Sequence, residues 1–340
     1  MIRRQILRHE RLTRVLRRVR RSLRRFERHR SFAPTAPRDY PKAFRIRPIP
    51  GPIPGDWPEP PAIDTPFRAD VEAAPGPAPI HYDVALFEQL NAEYADHPVA
   101  PTAPRYDAGS LTTRSRSRLS AIHDRIGLTN RTVLEIGCGA GYEVWFLAHH
   151  LGADAWGIDV SPRAAWSHLA GDRVHLVEGD VAIRGSLPAD TFDRVISFTV
   201  WEHITHPLEA ITELARVMKP GGLAWIRANL YRGPTASHRT RDIHFPFPHL
   251  LFTDTVIAEA MARAGKAATG SAWVNRLTWE QYESAFLRAG FAIHSLDFTT
   301  YGLDEAFYRR FEDALGRYPR ADLERGFFQV VLEKVPAAGR

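Results

Sequence analysis

One cysteine among 340 residues leaves nothing to pair with, so Cys138 excludes an internal disulfide and a cysteine-rich metal site and fits a reducing compartment. No apolar run reaches the roughly 18 residues of a membrane-spanning helix, and the N-terminus lacks the apolar segment of a secretory signal. A cytoplasmic chain is expected, soluble or peripheral at a membrane surface. No internal repeat is visible. Basic charge is missing from most of the chain: residues 1–30 hold 13 Arg against Glu10 and Glu27, a local charge of +11, which turns the formal +6 into −5 for residues 31–340. A basic nucleic-acid surface is therefore not expected of the body. The 44% hydrophobic composition suffices for one large core or two small ones, the ordinary makeup of a globular enzyme.

The charged leader carries Leu12, Val15, Leu16, Val19, Leu23 and Phe26 at helical spacing, an apolar stripe on an Arg-covered helix. Such a helix suits an anionic membrane surface, an acidic partner or its own copy, and nucleic acid less well; a solvated extension is the plain alternative. Residues 31–80 hold 14 of the 26 prolines and read as a linker or extended arm. Helices are expected over Tyr82–His97 and Ser110–Ile126, placed to pad the sheet or cover a ligand site.

From Thr132 the pattern alternates apolar strands and amphipathic helices, as in a mostly parallel sheet covered on both faces. Strands are expected at 133–137, 155–158, 174–177, 194–198, 223–228, 291–298 and 327–334. Helices are expected from Tyr142 and over 162–169, 208–218, 253–264, 278–289 and 303–315, with Pro220-Gly221-Gly222 as a turn. The most informative stretch is TVLEIGCGAGYEVWFLA, a strand running into Gly137, Gly139 and Gly141 and then a helix whose N-terminus faces a cavity. Asp159 ends the next strand, where an acid accepts hydrogen bonds from ribose hydroxyls, and Asp180 ends the one after. The dinucleotide pattern fails at Tyr142, which stands where a third glycine belongs. Glu135 beside the turn would repel a pyrophosphate and attract an ammonium. A zwitterionic, sulfonium-bearing cofactor fits better than a dianionic one.

Taken together, VLEIGCGAG, WGIDVSP, VEGDV and FDRVISFTVWEHITHPLEAITELARVMKPGGLAWI resemble the four motifs of class I S-adenosylmethionine-dependent methyltransferases. The resemblance covers about Thr132 to Ala228 plus the two closing strands. It implies a Rossmann-like, seven-stranded, mostly parallel sheet with helices on both faces and an antiparallel last strand. The methyltransferase domain would span residues 81–340, with a helical cap at 81–126 and a substrate-side insertion at 230–276. By the same resemblance, Glu135, Gly137, Cys138, Gly139 and Gly141 would hold the methionine end of S-adenosylmethionine. Asp159 would take the ribose, Asp180 and Val181 the adenine, and Val160 would also touch the cofactor. Thr199 to Glu202 would line the transfer site.

His203, in WEHITH, sits at the right end of the sheet to accept a proton near neutral pH. Glu202, His203 and His206 raise the question of a metal. Quinone-precursor O-methyltransferases that bind a divalent ion have a further Glu three residues before the Glu–His pair; here that residue is Thr199, so no metal is expected. The irregular stretch after Asn229 is long enough to be functional. Tyr231, Arg232, His238, Arg239, Arg241 and His244 read as an acceptor pocket for a carboxylate, phosphate or hydroxylated sugar, with His238 and His244 as further catalytic candidates; the competing reading is that these side chains tie down their own loop. The expected activity is O-methylation of a small or conjugated metabolite such as a sugar, lipid-linked saccharide or natural product. The alternatives are a non-catalytic binding module on the same fold and a nucleic-acid methyltransferase recruited by the leader. TVWEH, in place of an Asn/Asp-Pro-Pro-aromatic signature, weighs against the last.

Overall fold

The computed structural model describes residues 82–99, 108–272 and 274–336. The helix and Pro-rich arm expected over residues 1–30 and 31–80 lie outside them. The strands are β1 (Thr132–Ile136), β2 (Asp154–Asp159), β3 (Val174–Glu178), β4 (Phe192–Phe198), β5 (Met218–Asn229), β6 (Phe291–Thr300) and β7 (Arg325–Lys334). They form one sheet in the order β3-β2-β1-β4-β5-β7-β6. β1 to β5 are parallel, and β7 runs antiparallel between β5 and β6. Leu134, Ile136, Val195, Ile196, Ala224 and Ile226 are essentially solvent-free, as expected where a parallel sheet is covered on both faces. The strand order reverses at β1 and β4. That switch point opens a crevice at the strands' carboxyl ends, the usual ligand position in open α/β sheets.

The helices before and within this core are α1 (Val84–Glu93), α2 (Ala108–Ile126), α3 (Tyr142–Leu151), α4 (Trp166–Leu169) and α5 (Pro207–Val217). α3 starts at Gly141 and stops at Gly152, both left-handed, and Glu143 in its first turn complements the positive end of the helix dipole. Helix was expected over 162–169, but only Trp166–Leu169 is helical. The carboxylate of Asp159 accepts the Ser161 N–H, and such local turns compete with helix formation. Pro220-Gly221-Gly222 is not a separate turn. It lies inside β5, with an irregular register against β4 between Phe192 and Arg194.

Beyond β5 come α6 (Pro248–Leu251), α7 (Asp254–Arg263) and α8 (Trp279–Arg288), the last opened by a Thr278–Gln281 capping box. Between β6 and β7, the single helix expected over 303–315 is divided into α9 (Glu305–Arg310) and α10 (Glu312–Leu315), and α11 (Arg320–Glu324) follows. A second hydrophobic core assembles here. Phe87 and Leu90 of α1 pack with Phe245, Phe252 and Ile257, and with Phe307 and Phe311 from between β6 and β7. Phe87 meets Phe245 and Phe252 edge-on at 5.1 and 5.2 Å. The helical cap expected at 81–126 is therefore divided between two surroundings. α1 joins the insertion together with residues 303–323, whereas α2 lies against α3 and β5.

Candidate functional site

The crevice is built first by the turn after β1. Gly137 has φ +72°, and a Cβ there would lie 2.2 Å from Val200 Cγ2, so only glycine lets the segment after β4 close on this turn. At Gly139, φ +51°, a Cβ would meet nothing within 4 Å, which marks an open cradle. The Gly139 N–H donates to Asp159 Oδ2 at 2.8 Å, and its carbonyl accepts the Trp166 indole N–H at 2.8 Å. Cys138 is a packing residue: its sulfur occupies the space a Cβ on Gly157 would need, and burial pushes its thiol pKa up. Glu135 is buried and its Oε2 has no hydrogen-bond partner. Burial, and then the nearby Glu143, hold its pKa well above the usual carboxylate range, opposed by Arg118 and Arg114.

Those two arginines were not singled out from the sequence. Spaced i, i+4 on α2, they line a cleft of about 560 Å³ with Gly109, Ser110, Thr113 and Ser117. Arg118 reaches Glu143 at 3.4 Å and lies 4.9 Å from the ring of Phe198 at the end of β4. Acidic groups (Glu135, Glu143, Asp159) thus face guanidinium groups across the turn. At the β2 and β3 ends, Val160 is 60% exposed, Asp180 turns its own loop by accepting the Ala182 N–H at 2.8 Å, and Val181 is buried. A zwitterion fits this ground: the buried orphan oxygen of Glu135 suits an ammonium, the open Gly139 cradle suits close approach, and the exposed Val160 suits an apolar ring face.

The second part of the site lies past β4. Thr199 has φ +53°, costly for a β-branched residue, and its N–H donates to Arg227 O at 2.7 Å. Trp201–His203 then form one 3-10 turn. A buried network holds it: Asn275 donates from Nδ2 to Trp201 O at 2.7 Å and from its backbone to Glu202 O at 2.8 Å, while the Tyr282 hydroxyl donates to Trp201 O at 3.1 Å. No local pattern marks Asn275 or Tyr282 as positioning residues, because both act across more than 70 residues.

The Glu202 carboxylate is buried, which raises its pKa to about 7. The backbone N–H groups of Glu202 and Asn229 oppose that rise, but neither makes a hydrogen bond of full geometry, and both oxygens are without a hydrogen-bond partner. From the loop after β5, His238 brings its ring to 4.6 Å from that of His203. Burial, and then His203 and His249, lower the His238 pKa to about 3. Glu202, His203 and His238 each offer a ligand atom, all within 4.8 Å of one another. The third ligand-capable side chain beside Glu202 and His203 is thus His238, and neither Thr199 nor His206.

The other residues read as an acceptor pocket are dispersed. Arg232 pairs with Asp322 at 2.7 Å and lies over Tyr318. Arg239 hydrogen-bonds Thr269 and faces Asp242 at 3.6 Å, while Arg241 is exposed. Tyr231 gives its carbonyl to His249 Nε2 at 2.6 Å and its ring to Arg276 at 4.9 Å. The His244 backbone is bound to Asn91 of α1. Only His238 of this group meets His203.

Comparison with known proteins finds a methyltransferase domain in the chain. Residues 134–226 match the family model described as a methyltransferase domain. A ubiquinone biosynthesis O-methyltransferase of Pseudomonas paraeruginosa is 30% identical over 166 residues, 46% of this chain and 66% of that protein. A probable chloroplastic tocopherol O-methyltransferase of Oryza sativa subsp. japonica is 30% identical over 37% of this chain and 41% of its own length. A tRNA U34 carboxymethyltransferase of Shewanella sediminis is 35% identical over 28% of this chain and 30% of its own length. The chain thus spans less than two thirds of the length of the curated relatives it matches. A solved S-adenosylmethionine-dependent methyltransferase of Mesorhizobium loti is 17% identical over 66% of this chain and 99% of that one, with a TM-score of 0.43. The sheet order, the glycine turn and the match over residues 134–226 together support placing this domain in the class I S-adenosylmethionine-dependent methyltransferase superfamily.

Proposed function

We propose that the chain transfers a methyl group to a hydroxyl of a small or conjugated metabolite. The observation that carries this reading is the buried, unpartnered Oε2 of Glu135 beside the open cradle at Gly139, whose amide Asp159 fixes. When bound there, S-adenosylmethionine supplies a methyl group made electrophilic by its sulfonium.

The chain's own residues divide the work. Glu135 and the Gly137–Gly141 backbone receive the ammonium end, and Arg114 and Arg118 on α2 balance the carboxylate. Asp159 keeps one carboxylate oxygen on the Gly139 amide and the other on the Ser161 amide, with lone pairs remaining for ribose hydroxyls. Val160 and Val181 flank the base, and Asp180 accepts from its amine. Thr199 and Glu202 close the end where the methyl group is presented. The acceptor hydroxyl meets Glu202, His203 and His238 and releases its proton to solvent as it takes the methyl group. Two O-methyltransferases among the relatives support an oxygen acceptor, and the net −5 of residues 31–340 weighs against nucleic acid.

Calorimetry on the full chain tests this. S-adenosylmethionine should bind with one-to-one stoichiometry and S-adenosylhomocysteine should compete. Absence of binding by the wild type sinks the reading.

A further inference from the structure

We propose that Glu202, His203 and His238 form a binding site for a divalent first-row transition-metal ion, with one carboxylate and two imidazoles as protein ligands. Their donor atoms lie within 4.8 Å of one another, although they come from two separate elements, the 3-10 turn after β4 and the loop after β5. Glu202 is 2% exposed and neither of its oxygens is hydrogen-bonded. A carboxylate taken out of water without a partner is costly, and buried charges are found paired or bound to metals.

The protein also constrains the ligands. Asn275 and Tyr282 fix the turn that carries Glu202 and His203. His238 sits at φ +55°, a conformation a non-glycine residue holds at some cost, and from there its ring reaches His203. Arg227, the cation that opposes burial at Glu202, stacks on Phe327 at 3.7 Å.

The donor set selects the ion. Imidazole nitrogen with one carboxylate suits Zn²⁺, Co²⁺ or Mn²⁺, whereas Mg²⁺ prefers oxygen ligands and its own water. Three protein ligands leave a position open, and both histidines are partly exposed. An acceptor hydroxyl there would be polarised and its proton more readily released to solvent. This use of the ion rests on the methyl-transfer reading; the binding itself does not.

The test is calorimetric titration of the full chain, stripped with a chelator and without cofactor, using Zn²⁺ alone and Mg²⁺ alone. One saturable Zn²⁺ site is expected, with Mg²⁺ at least about 10-fold weaker. His238→Asn, which tolerates the left-handed backbone, and Glu202→Gln should each weaken Zn²⁺ at least about 10- to 100-fold, the loss that outer-shell changes alone can reach. The wild-type Co²⁺ absorption spectrum needs no variant: bands of a low-symmetry protein site support the proposal. A spectrum equal to aqueous Co²⁺, no saturable Zn²⁺ binding, or two folded variants that bind as the wild type does overturns it. Zn²⁺ binding without S-adenosylmethionine binding would leave this site standing and remove only the methyl-transfer reading.

Discussion

At the residue scale, Asp159 joins the turn after β1 to the end of β2, and that double duty makes its removal expensive. Asp159→Ala deletes charge-assisted bonds to the Gly139 and Ser161 amides as well as the ribose contact. Each such bond is worth about 1.5–3 kcal/mol, so S-adenosylmethionine affinity should fall roughly 10- to 100-fold by calorimetry. His249 gives a pH signature. Burial lowers its pKa from 6.5 to about 4 while Nε2 bonds Tyr231 O. The unfolded chain therefore binds the extra proton first as pH falls. Stability is fully present above about 6.5 and is lost toward 4, by up to about 3 kcal/mol. Thermal melts across that range should show the slope, and His249→Gln, which retains a donor for Tyr231 O, should flatten it.

At the element scale, the 3-10 turn after β4 is held by residues far away in sequence. Asn275→Ala leaves the carbonyls of Trp201 and Ile204 short of a donor in a buried setting. Unfolding in denaturant should show a loss of about 1–3 kcal/mol, and catalytic turnover should fall more than S-adenosylmethionine affinity, because the turn carries His203 and not the glycine cradle. The contrast also shows what was legible. TVLEIGCGAG, Asp159 and the strand positions could be read because local chemistry fixes them: glycines at positive φ, an acid at a strand end, alternating apolar runs. The meeting of His203 with His238 could not, since it depends on how an aperiodic loop returns to the sheet. For Arg232 and Arg239 the residues alone leave a ligand pocket and loop anchoring both open; in the structure Arg232 pairs with Asp322, and Arg239 with Thr269 and Asp242. Apolar spacing also overstates the helix over 162–169, of which only Trp166–Leu169 forms.

At the scale of the molecule, the described residues form a sheet core and a second core that joins α1, the segment after β5 and residues 303–323; on the proposed function the first serves the cofactor and the second the acceptor. Phe252, fully buried in that second core, gives the separating experiment. Phe252→Ala should cost about 3–5 kcal/mol of stability, while the folded fraction keeps its S-adenosylmethionine affinity, as read by calorimetry below the melting transition. The charge asymmetry argues in the same direction. With +11 on residues 1–30 and −5 on the rest, an anionic surface should be met by the leader and not by the body. Deleting residues 1–30 should therefore leave cofactor affinity within about twofold and strongly reduce co-sedimentation with anionic phospholipid vesicles, an attraction that also weakens with added salt because exposed charges are screened over about 10 Å at 0.1 M. Equal vesicle binding with and without the leader would assign the surface attraction to the body, against its charge.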